Sequence, residues 1–145
     1  MTTITPYLFF NGTCEEAFNF YKSAFGGEFE NVSRYKDMPP NPEFPVPETQ
    51  QEKIMHISLP ISEETVLMGS DSFESFGQAT AEGNNFAISI NTDTLEEAER
   101  IFKALSAGGT VKMPLQKAFW GSHFAQFTDK FGIQWMISYY ESDEK

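Results

Sequence analysis

The chain contains three side chains of the imidazole or thiol type: His56, His123 and Cys14. An imidazole can transfer protons near neutral pH and can bind metals. His56 could therefore act as a general base or hydrogen-bond a ligand, and His123 could do the same beside Trp120. A metal site built from both histidines and an Asp or Glu is conceivable. The commoner role of an isolated histidine in a strand is a hydrogen bond to a neighbouring group.

Cys14 lies in the first turn of a predicted helix, where the helix dipole favours a thiolate. A nucleophilic cysteine needs a base such as histidine, and neither histidine is near it in sequence. We therefore expect Cys14 to be structural. A single cysteine also excludes an intrachain disulfide and is typical of a reducing compartment, so we expect a cytoplasmic protein.

Trp120 is a candidate for ligand contact, because it offers a flat apolar surface and an N–H donor just before Gly121 and a predicted strand. The alternative is that it packs a loop or a subunit interface. Asp71 and Asp129 follow strands in corresponding regions, and we expect them to form turns rather than to act as catalytic acids. Other aromatic residues could form a pocket wall, although each is singly more often a core residue: Phe10, Tyr35, Phe44, Phe73 and Phe76.

Composition limits the classes of partner. The 21 acidic and 10 basic residues give a formal charge of −11, which repels phosphate backbones, so we expect no nucleic acid. Such a charge could favour a cationic ligand, but solubility is the simpler reason for it.

A hydrophobic content of 40% in 145 residues indicates one folded domain. We expect no membrane partner and no signal peptide, because no apolar run is long enough and the N-terminal residues lack the basic and apolar segments.

The elements that must position these residues occur twice. Residues 13–22, TCEEAFNFYK, recur about 80 residues later as 94–103, TLEEAERIFK, and each copy ends at a Gly-Gly pair. Thr13 and Thr94 are predicted helix N-caps, with Glu16 and Glu97 completing capping boxes. The glycine pairs, 26–27 and 108–109, supply the left-handed turns that end the helices. One apolar face is predicted on each helix: Ala17, Phe20, Tyr21 and Ala24 on the first, and Ala98, Ile101, Phe102 and Leu105 on the second.

One strand precedes each predicted helix and three follow it, so each copy has the order β-α-β-β-β. The predicted strands are 7–10, 29–35, 53–59 and 65–69 in the first copy, and 86–90, 110–114, 123–127 and 134–139 in the second. Residues 37–52 contain five prolines and form a long loop of the kind often used as a lid. The strands alternate, so we expect large apolar residues such as Trp135 to pack under the helix and the other face to line a concavity.

This order resembles the vicinal oxygen chelate superfamily, which includes glyoxalases, extradiol dioxygenases and bleomycin-resistance proteins, and within it the PhnB-like proteins. Three segments carry the resemblance: residues 5–12 leading to 20–21, residues 54–57 followed by 67–71, and residues 108–135 with MPL, FWG and FTDKFGIQW. Lys130 departs from the family pattern, where a proline is expected, and Ala125 replaces a glycine. The resemblance implies an α+β fold in which two βαβββ modules form a paired half-barrel around a ligand cavity. The single domain, 1–145, would comprise repeats of about 1–76 and 85–140 joined by a linker at 77–84, with a solvated tail at 141–145.

The resemblance also implies where a metal would be bound. Metal-dependent members place His or Glu at four symmetric positions on the first and last strands of the repeats. Aligned on the capped helices, those positions are Pro6, Met68, Met136 and either Asn85 or Ala87. None is a suitable ligand for a hard divalent ion, so we expect no metal and no cofactor.

We therefore expect a PhnB-like protein that binds an unidentified small molecule in its half-barrel without a catalytic metal, and that forms a homodimer to protect its strand edges. The alternative is a metal-dependent lyase or isomerase of the superfamily with atypical ligands. The name demethylubiquinone methyltransferase is sometimes applied to such proteins, but no glycine-rich strand-to-helix loop of the nucleotide-binding type supports it. The candidate ligand-binding residues are His56, Trp120, His123, Phe10, Met68, Ser89, Gln134 and Met136.

Overall fold

The structure is a computed structural model that describes residues 2–39, 42–43, 45–73 and 80–141. The chain forms two compact units, Met1–Ala81 and Glu82–Lys145, and each has the predicted βαβββ order. The first unit contains β1 (Tyr7–Phe10), α1 (Cys14–Phe25), β2 (Asn31–Arg34), β3 (Ile54–Pro60) and β4 (Val66–Asp71). The second contains β5 (Ile88–Asn91), α2 (Leu95–Ser106), β6 (Thr110–Lys117), β7 (Ser122–Thr128) and β8 (Gln134–Tyr140). The predicted α+β class with two modules is confirmed.

Each unit holds one four-stranded sheet, in the order β1-β4-β3-β2 in the first and β5-β8-β7-β6 in the second. The strand before the helix pairs in parallel with the last strand of its unit, and the other pairs are antiparallel. Met68 lies opposite Tyr7, and Met136 lies opposite Ser89. The two methionines therefore hold equivalent positions in the repeat.

The core of each unit lies between its helix and one face of its sheet. In the first unit α1 buries Phe18 and Tyr21, and Phe18 meets Phe10 edge-on with ring centroids 6.3 Å apart. Phe20, which the sequence placed on this face, is only half-buried, because the buried stripe runs through Cys14, Ala17, Phe18, Tyr21 and Ala24.

In the second unit α2 buries Ala98, Ile101 and Leu105, over a sheet face that includes Phe127 and Trp135. Phe102 is half-buried and meets the ring of Phe127 at 5.5 Å. The prediction that Trp135 belongs to the helix-facing core is confirmed, since it is 1% exposed.

The two helices begin differently, and one of the predicted caps is wrong. The Thr94 side chain accepts a hydrogen bond from the Glu97 backbone N–H at 3.1 Å, as an N-cap should. The Thr13 side chain makes no capping bond. Instead, the carboxylate of Asp71 accepts a hydrogen bond from the Cys14 backbone N–H at 2.9 Å, so α1 is capped by a residue 57 positions away.

The glycine pairs end the helices in two ways. Gly26, Gly27 and Gly108 have positive φ angles, which favour glycine. Gly109 does not have a positive φ; a Cβ there would overlap the backbone carbonyl oxygen of Thr128. Glycine is needed at this position because the chain passes too close to β7 for a side chain.

Most strand limits differ from the prediction by only a few residues. β2 is shorter than predicted, because a register shift at Ser33/Arg34 ends it and residues Tyr35–Asp37 form a 3₁₀ turn. β6 extends past Pro114 to Lys117, which is possible because it is an edge strand. The long loop contains a second 3₁₀ turn, Glu48–Gln50. The aromatic-wall candidates Phe44 and Phe76, much of the proposed linker and most of the proposed tail lie outside the described residues. Across the residues that are described, no helix is long and apolar enough to cross a membrane.

Candidate functional site

The sheet of the first unit has one face away from α1, which we call the first open face. Its side chains are fixed by the pairing register and by strand alternation: Tyr7 and Phe9 of β1, His56 and Ser58 of β3, and Met68 and Ser70 of β4. The intervening residues, Phe10 and Gly69, lie on the helix side, where they approach Phe18. Both β1 aromatics are accessible, with Tyr7 39% and Phe9 54% exposed.

Tyr7 and His56 form a hydrogen-bonded pair on this face. The Tyr7 hydroxyl lies 3.1 Å from His56 Nδ1, and the two rings are tilted at 36° with centroids 5.7 Å apart. Tyr7 also contacts the ring of Phe9 at 5.1 Å. The face therefore combines aromatic surface with a polar pair that can exchange a proton.

The floor of this face is made of small hydroxyls. Ser58 is 2% exposed and Ser70 6% exposed, and they flank Met68, which pairs with Ser58 across the strands. The nearby cations point to the other side of the sheet: Arg34 bonds Glu15 on α1 at 2.8 Å and 3.0 Å, and Lys53 donates to the Gly12 carbonyl at 3.0 Å. These two basic side chains are therefore engaged away from this face.

The second unit has an equivalent surface, the second open face, made of Ser89, Phe124, Gln126, Met136 and Ser138. Trp120, on the turn between β6 and β7, is 48% exposed, and its ring meets that of Phe124 at 5.6 Å. Phe119 beside it is 97% exposed. Ser89 is exposed and Met136 half-buried. The structure thus brings three of the predicted ligand residues, Trp120, Ser89 and Met136, to one side of this sheet.

His123 and Gln134 are placed less favourably. His123 alternates with Phe124 on β7, so it lies on the helix side, where its ring is 5.8 Å from that of Tyr139; its Nδ1 is 3.9 Å from a Glu141 carboxylate oxygen. It does not share a face with the Trp120–Phe124 cluster. The amide nitrogen of Gln134 donates to the backbone carbonyls of Gly83 and Phe86, so this side chain anchors the segment that leads to β5.

Several other candidates belong to the core of the first unit. Phe10 is 3% exposed and lies under α1 rather than on the open face. Tyr35 and Phe73 are buried against each other, with centroids 5.0 Å apart, and the Tyr35 hydroxyl donates to the Asp71 carbonyl at 2.7 Å. Burial, with Asp71 nearby, raises the pKa of Tyr35. Phe10, Tyr35 and Phe73 are therefore core residues and are not part of the candidate site.

Cys14 is fully buried. Burial, and then the negative charge of Asp71, raises the pKa of its thiol far above the ordinary value. A thiol of this kind is not a nucleophile at neutral pH, which agrees with the structural role expected from the sequence.

Both aspartates predicted as turn formers are buried, at 2% for Asp71 and 3% for Asp129, but they act differently. Asp129 accepts from the Phe131 and Ile133 backbone N–H groups and from Trp135 Nε1, so it does form a turn. Asp71 accepts from Cys14 and from the Ile54 N–H, which joins α1, β3 and β4. The two are not equivalent in the repeat, since Asp71 lies in the last strand of its unit and Asp129 follows the third.

A polar cleft of about 510 Å³ opens on the helix side of the first unit. Its wall includes the Glu15–Arg34 ion pair and Lys53, and Arg34 lowers the pKa of Glu15 by its hydrogen bond and charge. Glu15 pairs with Arg34, and Lys53 donates to the Gly12 carbonyl, so the Glu15–Arg34 pair in this cleft joins α1 to β2.

The donor sets at the symmetric positions do not fit a hard metal ion. The structure places Tyr7 opposite Met68 and Ser89 opposite Met136. The first-strand positions are therefore Tyr7 and Ser89, and not Pro6 and Asn85 or Ala87 as predicted. Thioethers and neutral hydroxyls are poor ligands for a hard divalent ion. In the described part of the chain, no three His, Cys, Asp or Glu side chains come together as a metal-binding group.

Comparison with solved structures defines the class of fold. A glyoxalase/bleomycin resistance protein/dioxygenase domain from Frankia sp. EAN1pec superposes with a TM-score of 0.67 over 99% of this chain and 96% of that one, at 9% identity. The two βαβββ modules are therefore those of the glyoxalase/bleomycin-resistance fold.

The particular family follows from the sequence. Residues 2–138 match the family model described as 3-demethylubiquinone-9 3-methyltransferase, and the chain belongs to this PhnB-like family. It is 31% identical to Protein YjdN of Escherichia coli (strain K12) over 144 residues, which is 93% of each chain. The crystal structure of protein PA1353 from Pseudomonas aeruginosa matches with 38% identity and a TM-score of 0.84, over 98% of this chain and 100% of that one. A putative 3-demethylubiquinone-9 3-methyltransferase, PhnB protein, from Bacillus cereus matches with 26% identity and a TM-score of 0.75, over 95% and 99%. The resemblance seen in the sequence is confirmed.

Proposed function

We propose that this protein binds a small organic molecule on the open faces of its sheets and uses no catalytic metal to do so. The observation that carries the proposal is the first open face, where the accessible rings of Tyr7 and Phe9 contact each other and Tyr7 is bonded to the His56 imidazole. Binding sites for small molecules typically combine an apolar or aromatic wall with a few polar groups that fix orientation. The Trp120–Phe124 cluster offers a similar wall in the second unit.

Metal-free binding is favoured by the residue types at the symmetric positions. Met68 and Met136 stand where a metal-dependent relative would use an imidazole or a carboxylate, and their strand partners are Tyr7 and Ser89. His56, the one histidine on an open face, is bonded to Tyr7, and none of the described residues assigned to that face is acidic. The arrangement suits hydrogen bonding to an organic ligand better than it suits metal binding.

The family's description names a methyltransferase, and we do not propose that activity. Sites that bind nucleotide-type cofactors commonly use an open parallel sheet with a glycine-rich strand-to-helix turn. Both sheets described above are largely antiparallel, so this geometry gives methyl transfer no support.

Two experiments on one tag-free preparation test the proposed function. Native mass spectrometry should show a mass above that of the polypeptide, and denaturing conditions should release an organic molecule. Elemental analysis of the same sample should find no stoichiometric Ni, Zn, Mn or Fe. Stoichiometric metal, with an activity that is lost on chelation and restored by metal, would establish the alternative of a metal-dependent lyase or isomerase.

Substitutions on the first open face should show whether retention of the ligand depends on it. Phe9→Ala should reduce the amount of co-purified ligand, because it removes an exposed aromatic wall. Phe86→Ala is the matched control, since Phe86 is also exposed, at 66%, and lies outside both open faces. Equal ligand content in the two variants would show that the first open face is not the binding surface.

The assembly state and location proposed for this protein are a homodimer in the cytoplasm. Each sheet has two edge strands, and β6 in particular is an exposed edge of eight residues, which a second copy could cover. Light scattering tests the first point, and a monomer at all concentrations would contradict it. Fractionation of cells that express the untagged protein tests the second.

A further inference from the structure

The first open face has no acidic side chain among its six residues, although the chain as a whole has a charge of −11. We infer that this face binds a planar aromatic ligand bearing a carboxylate, an inference that rests on the proposed binding function. The Tyr7–His56 pair holds the carboxylate and takes up one proton when the ligand binds. This assignment differs from the cationic ligand that the net charge alone would favour.

The hydrogen-bonding capacity of the pair selects the ligand group. When His56 is neutral, one hydrogen lies between the Tyr7 oxygen and Nδ1, and one N–H or O–H remains for a ligand. When His56 is protonated, Nδ1–H donates to the Tyr7 oxygen, and both Nε2–H and the Tyr7 O–H remain as donors. Protonation therefore adds a positive charge and leaves both donors available, one on each side of the imidazole. A carboxylate that accepts from one of them is favoured by that charge over a neutral or cationic group.

Among the described residues that lie next to His56 on this sheet, none carries a charge that would replace the ligand. On β2, Ser33 lies opposite His56 and bonds Asn31. On β4, the residues of this face are Met68 and Ser70. On β1, the titratable neighbour of His56 is Tyr7. Arg34 and Lys53 are engaged on the helix side by Glu15 and the Gly12 carbonyl. These residues offer a protonated His56 no counter-ion, and an anionic ligand would supply one.

The aromatic wall defines the rest of the ligand. The Tyr7 and Phe9 rings are 5.1 Å apart and tilted at 40°, and both are accessible. Flat rings can stack or pack edge-on against such a pair, whereas a flexible aliphatic acid would gain less from it.

The test uses three probes of the same shape and different charge: 2-naphthoate, 2-naphthamide and 2-naphthamidinium. Each is titrated into the full-length protein, with dissociation constants measured by nuclear magnetic resonance. Naphthoate should bind at least about tenfold more tightly than naphthamidinium. Its affinity should rise by up to about tenfold per unit as the pH falls from about 8 to about 5.5, because an imidazole takes up its proton near neutral pH.

Variants separate the roles of the three residues. His56→Gln should abolish the pH dependence, and Tyr7→Phe should weaken naphthoate several-fold while keeping the pH dependence. Phe9→Ala should weaken all three probes, and Phe86→Ala should weaken none. The amide spectra of the variants show directly whether each is folded.

The outcomes distinguish this inference from the proposed function. Tighter binding of naphthamidinium than of naphthoate, or a pH dependence that survives His56→Gln, would overturn the carboxylate assignment and leave small-molecule binding in place. If no probe binds, the inference is overturned, and the proposed function then depends on whether native mass spectrometry finds a co-purified ligand.

Discussion

In the second unit the N-terminus of α2 is capped by Thr94, its neighbour in sequence, whereas in the first unit the N-terminus of α1 is capped by Asp71, 57 residues away. The two helices begin with nearly the same sequence. In the first unit the cap also binds the Ile54 N–H, so helix, β3 and β4 are tied together at one buried carboxylate. The comparison shows that a repeated sequence can preserve a supersecondary unit while the contacts that stabilise it change.

The open faces differ in the same way. Met68 and Met136 hold equivalent positions, but Met68 lies opposite Tyr7 and Met136 opposite Ser89. The first face therefore has a Tyr–His hydrogen-bonded pair, and the second has the Trp120–Phe124 cluster. The two units share one fold and place different side chains on their open faces.

The largest expected difference concerns the two caps. Asp71→Ala leaves two buried backbone N–H groups without a partner. Since hydrogen bonds to a charged group are worth about 1.5–3 kcal/mol each, the free energy of unfolding should fall by about 3–6 kcal/mol. Thr94→Ala should cost about 1 kcal/mol, as for an ordinary N-cap. Urea denaturation of both variants measures this. Equal losses would show that the buried carboxylate is no more important than a local cap.

The second difference concerns the helix C-termini. Gly109→Ala should cost about 3 kcal/mol, because the new Cβ would overlap the Thr128 carbonyl oxygen and the backbone must move. Gly27→Ala is the matched variant, since the nearest atom is the carbonyl oxygen of the equivalent residue, Pro60, at 3.5 Å. It should cost about 1–2 kcal/mol for the positive φ alone. Thermal denaturation monitored by circular dichroism ranks the two, and the reverse order would contradict the close approach of Gly109 to β7.

The smallest difference concerns two ion pairs. Glu15→Gln, which weakens the contact from α1 to Arg34, should cost about 0.5 kcal/mol near neutral pH, and Glu97→Gln, within α2, about 0.3 kcal/mol. Arg34 lowers the folded-state pKa of Glu15, so its contribution is complete above the unfolded pKa of a glutamate, about 4.3, and is lost as the pH falls through the lowered value. The denaturation curves of wild type and Glu15→Gln should therefore differ at neutral pH and converge at acid pH; a gap that is the same at both would contradict the ion pair as the cause.

Much of the fold could be predicted from the sequence, because its signals are local. The helix that begins after Thr94, the glycines that end both helices and the alternation around Trp135 depend on neighbouring residues. The role of Asp71 could not be predicted, because its partners, Cys14 and Ile54, are distant in sequence. The burial of Phe18 in place of Phe20 had a signal that was missed, since positions 14, 17, 18, 21 and 24 form one helical stripe.

The site was predictable only in part. His56, Met68, Ser89, Met136 and Trp120 were identified by residue type and repeat position. Their grouping on the open face of each unit depends on strand register, because a one-residue shift moves a side chain to the opposite side of its own sheet. That sensitivity is why the sequence could not predict that His123 lies on the helix side. The Tyr7–His56 pair was missed because it joins residues 49 positions apart.

The most direct test of the account uses Met68 and Met136 as matched reporters of the two open faces. With ¹³C-methyl-labelled methionine, the two signals can be assigned from Met68→Leu and Met136→Leu variants, and 2-naphthoate can then be titrated at about pH 6, where an imidazole is largely protonated. We predict that the Met68 methyl signal shifts with saturation, and by more than that of Met136. A shift at Met136 alone, or no shift at either methionine, would contradict binding at the Tyr7–His56 face.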